Sequence, residues 1–126
     1  MKNNELGISA QITWVYTVDL EQCRRFYSDA LGLKTLRDEG SALVFATVGG
    51  ARIGVCEAFE DRVVEPRGGM ISLVTDDVDA CYASLLARGV ALEQPPHELE
   101  RFGIRTFFVR DPNGYRLEFQ QFLDGA

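Results

Sequence analysis

Gly50-Ala51-Arg52-Ile53-Gly54-Val55 and Gly114-Tyr115-Arg116-Leu117-Glu118-Phe119 are two versions of one phrase: a glycine turn, an arginine, then a short strand. The phrase closes two longer stretches that also agree. Val18-Asp19-Leu20 with Cys23 in the first stretch answers Asp76-Asp77-Val78 with Cys81 in the second. Ile12–Phe59 and Met70–Phe122 therefore each read as a strand, a helix and then further strands. A repeat of this size cannot bury its sheet face alone, so the two copies are expected to share a core and enclose a cleft.

Local signals fill in each copy. Ile8–Thr17 is rich in Ile, Val, Thr, Trp and Tyr and predicts a strand. Asp19 is suited to cap a helix whose apolar stripe is Leu20, Cys23, Tyr27, Ala30 and Leu31, with Gly32 as its stop. Leu33–Arg37, Ala42–Val48 and Arg52–Phe59 predict three strands, the last two joined through Gly49-Gly50. In the second copy Met70–Val74 predicts a strand, and Asp77 caps a helix with Val78, Cys81, Leu85 and Leu86 inward, ended by Gly89. Val90–Gln94 reads as a strand and Pro95–Phe102 as a polar loop holding His97. Gly103–Val109 and Tyr115–Phe122 form a hairpin through Asp111-Pro112-Asn113-Gly114, with Asn-Gly supplying positive φ. The order is βαβββ–βαβββ, an α+β chain: module one at 8–60, a charged linker at 60–69 and module two at 70–123, within one domain of 1–126.

Composition narrows the function. Charged residues make up 25% of the 126 and the net charge is −6, which argues against a nucleic-acid partner because phosphate neutralisation needs clustered Lys and Arg. That balance suits solubility and would favour a cationic ligand over an anionic one. The odd set Cys23, Cys56 and Cys81 lacks metal-type spacing, and Cys23 and Cys81 belong to apolar helix faces. Met1-Lys2-Asn3-Asn4-Glu5 lacks the marks of a signal peptide, and no apolar run approaches membrane-spanning length. A cytoplasmic protein without a membrane partner is expected, with residues 1–7 frayed.

Several of these runs resemble the vicinal oxygen chelate superfamily, which includes glyoxalase I, fosfomycin- and bleomycin-resistance proteins and extradiol dioxygenases. The resemblance rests on Val18-Asp19-Leu20-Glu21, Arg25-Phe26-Tyr27 and Ala30-Leu31-Gly32-Leu33 in the first copy. In the second it rests on Val74-Thr75-Asp76-Asp77-Val78-Asp79-Ala80, Ala87-Arg88-Gly89-Val90 and Phe107-Phe108-Val109-Arg110-Asp111-Pro112-Asn113-Gly114-Tyr115-Arg116-Leu117-Glu118. It implies two tandem βαβββ modules forming a half-open, curled mixed sheet barrel with a ligand site on the concave face. Enzymatic members usually hold one divalent metal there, through the first and last strands of each module.

Carried onto this chain, the first-strand ligand positions are Ile12 and Met70, and the last-strand positions are Gly54 and Glu118. Glu118 alone offers a hard donor. A catalytic zinc site takes about three protein ligands, and non-haem iron wants two imidazoles and a carboxylate, whereas His97 is the one histidine present. No metal ligand set and no cofactor are predicted, with a divalent metal retained on Glu118 as the alternative.

Strand alternation assigns the rest of the concave face. Ile12, Trp14 and Tyr16 point inward from the first strand, and Met70, Ser72 and Val74 from the fifth. Arg52 and Gly54 share a face, as do Arg116, Glu118 and Gln120, and Phe108 faces the cleft while Phe107 and Val109 face the core. Arg52 or Arg116 is expected to pair with Glu118, with an anionic ligand as the alternative partner. The function this implies is a metal-free protein of the glyoxalase/bleomycin-resistance type, a homodimer holding an aromatic or cationic organic ligand through Ile12, Trp14, Tyr16, Arg52, Gly54, Met70, Ser72, Phe108, Arg116 and Glu118. The alternative is a glyoxalase-like lyase, isomerase or thiol transferase with Glu118 as its catalytic acid/base. His97 and Cys56 are weaker candidates for a general base and a reactive thiol.

Overall fold

The computed structural model describes residues 6–124. Of the polar start expected to fray, Met1–Glu5 lies outside them. The chain divides after Val63, inside the charged linker, into two compact units.

The first unit runs β1 (Ile12–Thr17), α1 (Leu20–Arg24), β2 (Lys34–Asp38), β3 (Ala42–Ala46) and β4 (Arg52–Glu57). The second runs β5 (Ile71–Val74), α2 (Val78–Ala87), β6 (His97–Leu99), β7 (Ile104–Arg110) and β8 (Arg116–Phe122). Each holds one four-stranded mixed sheet, ordered β1-β4-β3-β2 and β5-β8-β7-β6. In both, the first strand pairs in parallel with the last, and the remaining neighbours are antiparallel. The expected α+β class and βαβββ order are what the chain adopts.

Both predicted caps form. Asp19 accepts a hydrogen bond from Gln22 N and Asp77 one from Ala80 N; such caps contribute about 0.5–2 kcal/mol each. After Arg24 the first helix widens into a π-helical segment, Arg25–Ala30, where Leu31 N reaches Phe26 O at 2.9 Å. The wider turn rephases the predicted stripe, so Leu20, Cys23 and Tyr27 are buried while Ala30 and Leu31 are half-buried. Tyr27 stacks on Phe45 of β3 with ring centroids 5.5 Å apart.

The second core is built around Phe107. It lies opposite Phe119 in register, the two rings parallel at 5.0 Å, and Tyr82 of α2 meets its edge at 5.3 Å. Leu86, expected inward, is 56% exposed; Tyr82 takes the inward role on that helix. The strand expected at Val90–Gln94 does not form. Gly89 adopts φ 81°, and Val90 N bonds Leu85 O while Gly89 N bonds Leu86 O, so Val90 is used in ending the helix. Pairing resumes after Pro96 with β6, which places His97 on a strand opposite Thr106, not in a loop. The β7–β8 turn is also organised differently from expectation. Positive φ occurs at Gly114 and not at Asn113, while the Asp111 carboxylate accepts from Asn113 N and Tyr115 N.

A bidentate pair, Arg105 of β7 to Asp79 of α2, ties helix to sheet with both bonds at 3.0 Å. The hydrogen bond from Arg105 holds the Asp79 carboxyl below its ordinary value of 3.8. A lowered carboxylate pKa stabilises the fold above the ordinary value and loses that contribution as pH falls through the lowered one. Asp79→Asn should therefore flatten the acid limb of a melting-temperature profile, and an acid limb identical to the parent's would refute that link.

Candidate functional site

Glu118 is the centre of the second sheet's open face. It sits on β8 with Ser72 of β5 beside it in parallel register and Phe108 of β7 beside it in antiparallel register. Only 6% of it is exposed. A buried carboxylate needs hydrogen-bond partners, and two hydroxyls supply them. Ser72 Oγ donates to Oε1 at 2.7 Å, and Thr106 Oγ1 donates to Oε2 at 2.9 Å. Thr106 is itself fully buried.

The expected ion pair between Glu118 and an arginine is absent among the described residues. Arg116 shares the face of Glu118 but lays its guanidinium over the ring of Phe108, with Cζ 3.8 Å from the ring centroid. Arg116 and Phe108 are diagonal neighbours across the β7–β8 pair, within reach of a long side chain. Hydroxyls hold the carboxylate and the ring of Phe108 supports the guanidinium, so no ion pair joins them. Arg116 Nε is buried without a hydrogen-bond partner.

These groups line a cavity of about 510 Å³. Of the residues predicted from sequence, it brings together Met70, Phe108, Arg116 and Glu118, with Ser72 held against Glu118. It adds Ile104 and Phe122, which the same alternation along β7 and β8 would have supplied, and Gln120, which that rule already placed on the face of Glu118. Leu99 and Phe102 were out of reach of that rule, because they depend on β6 and the 3₁₀ turn Glu100–Phe102. Met70 and Phe102 are largely exposed, while Ile104 is buried.

Ile12, Trp14, Tyr16, Arg52 and Gly54 are not in this lining; they belong to the first sheet. There Trp14 and Gly54 occupy the places that Ser72 and Glu118 hold in the second. The two are register partners on β1 and β4. A Cβ built on Gly54 would stand 2.5 Å from Cε3 and Cζ3 of Trp14, so the indole lies flat against bare backbone. Glycine here is required by the ring and not by a positive φ. Of the weaker candidates, His97 directs Nδ1 to Pro95 O at 3.3 Å and Cys56 directs Sγ to Glu57 O. Neither lines the cavity.

The model of the Glyoxalase/Bleomycin resistance protein/Dioxygenase superfamily matches residues 9–119, and the chain belongs to that superfamily. Among solved structures it is similar to a glyoxalase/bleomycin resistance protein/dioxygenase from Nocardioides, at 21% identity and TM-score 0.75 over 96% of this chain and 89% of that one. TioX from Micromonospora sp. ML1 matches at 22% identity and TM-score 0.74, over 91% and 99%. A lactoylglutathione lyase from Agrobacterium tumefaciens matches at 23% and 0.72, over 90% and 92%. At such identities the likeness establishes the fold. No curated protein matches the chain.

The residues at the family's metal positions do not fit a divalent ion. Ile12 and Gly54 offer no donor, Met70 offers a soft thioether, and the oxygens of Glu118 already accept from two hydroxyls. Among the described residues no three His, Cys, Asp or Glu side chains gather closely enough to hold a metal.

Thr106→Val should cost about 1.5–3 kcal/mol, the range for a hydrogen bond to a charged group. Ser72→Ala, at an exposed position, should cost less, and denaturant melts giving the reverse order would contradict the arrangement. Gly54→Val should displace the indole, destabilise by about 1–3 kcal/mol and shift the emission of Trp14, the only tryptophan. Unchanged emission and stability would show that the ring does not rest on Gly54.

Proposed function

We propose that this member of the superfamily is a small-molecule-binding protein that holds an aromatic organic ligand in the cavity of its second unit without a metal ion. The observation that carries this reading is the hydroxyl-held Glu118 within a mainly apolar lining. Of the family's four metal positions only Glu118 carries a hard donor, where a catalytic zinc site takes about three protein ligands, and that carboxylate is held by Ser72 and Thr106. The volume lies within the range of about 300–1,000 Å³ typical of ligand sites. Burying ligand surface against Met70, Ile104 and Phe108 contributes roughly 25 cal/mol per Å² of apolar area. Arg116 on Phe108 adds a flat, charged surface against which a second planar group can stack.

A lyase reading has one specific feature behind it: the 2.7 Å bond between Ser72 and Glu118 puts a carboxylate within proton-transfer distance of a hydroxyl. The two readings separate on one variant. In chelator-treated protein, planar aromatic compounds should raise the melting temperature and perturb the Met70 and Phe108 NMR signals. Glu118→Gln should keep that binding within a few-fold. Stoichiometric zinc, nickel, manganese or iron in the purified protein would overturn the metal-free reading. A turnover that Glu118→Gln abolishes while binding survives would establish the enzyme instead.

A further inference from the structure

We propose that the ligand of this cavity is a planar anion, an aromatic carboxylate by chemical class, whose carboxylate docks on the terminal guanidinium nitrogens of Arg116. This rests on the binding role proposed above and adds the sign of the ligand's charge.

The argument starts from which polar groups in the cavity are already satisfied. Three of its lining residues carry a strong polar group: Arg116, Glu118 and Gln120. Glu118 is 6% exposed, and each of its oxygens accepts a hydroxyl. Of the two charged groups it is the one whose hydrogen bonding is met by neighbouring side chains. Arg116 is in the opposite condition. Arg24, Arg37, Arg67, Arg105 and Arg110 each hold a carboxylate within ion-pair distance. Arg116 holds none among the described residues, and its contact is the face of Phe108. Its Nε is shut away without a partner, so the terminal nitrogens are the donors left for the cavity.

Arg110, which lies opposite Arg116 in register, cannot share a ligand on equal terms. It is spent on Glu93 and on the Gly114 carbonyl. The result is a cation without an ion pair, laid flat on Phe108, in an open and mainly apolar pocket that it shares with Glu118. Chemistry complementary to that is a planar body with a forked acceptor, since a guanidinium edge matches a carboxylate bidentately. A cationic ligand would meet Arg116 as a like charge, and to reach Glu118 it would have to approach a carboxylate that is only 6% exposed.

The test uses three compounds of one shape: naphthoate, its neutral amide and naphthylmethylammonium. Each is titrated into the full chain by calorimetry and followed at the Met70 and Phe108 signals by NMR. Naphthoate should bind at least about ten-fold more tightly than the amide, as a charge-assisted pair requires, with the ammonium weakest. Arg116→Gln should erase the preference for the carboxylate, lowering naphthoate affinity by more than amide affinity. The wild-type series needs no variant to be decisive. Amide or ammonium binding at the same signals as tightly as naphthoate would sink the anion inference and leave the cavity's binding role standing. A carboxylate preference that survives Arg116→Gln would also overturn the inference. No response to any of the three would remove the binding role and this inference together.

Discussion

The parallel pairing of the first and last strand within each unit is the constraint from which the rest of the structure follows. Because β1 lies against β4 and β5 against β8, residues distant in sequence become side-by-side neighbours on one sheet face. Ser72 and Glu118 meet only for that reason, as do Trp14 and Gly54. Parallel neighbours require a crossover, and α1 or α2 begins that crossover in each unit while covering the opposite face of the sheet. The helix side then becomes the core, holding Tyr27 with Phe45 in one unit and Tyr82, Phe107 and Phe119 in the other. The other side is left for function.

The two units use that face in contrasting ways. In the second, a carboxylate is placed centrally and held by two hydroxyls, with a cation laid on an aromatic ring beside it. In the first, the same two positions hold an indole and the glycine that makes room for it. A duplicated framework thus carries a polar site in one copy and an aromatic plate in the other. Where a superfamily enzyme would place metal donors at all four positions, this chain keeps one, and its hydrogen bonds turn that one inward.

Much of the fold was legible from residues alone. Period-two alternation separated Phe107 and Val109 from Phe108, and Val15 and Thr17 from Trp14, because a strand has only two sides. Asp19 and Asp77 announced their helices through the one thing a capping carboxylate does well. Failures came where local signals compete. Val90 looked like the start of a strand but was needed to close a helix, and His97 looked like loop but pairs after a Pro-Pro break. Leu86 fell on the expected helical stripe, yet Tyr82 is the residue that meets Phe107.

By itself the sequence determined the duplicated βαβββ architecture and the poverty of metal donors, since both depend on spacing and residue type. Tertiary structure decided how the surviving polar groups are spent. Whether Glu118 pairs with an arginine or with hydroxyls depends on the relative reach of side chains on three strands, and no pattern in one dimension encodes it. That choice leaves Arg116 on Phe108 without an ion pair in the cavity, a fact carried by geometry and not by composition.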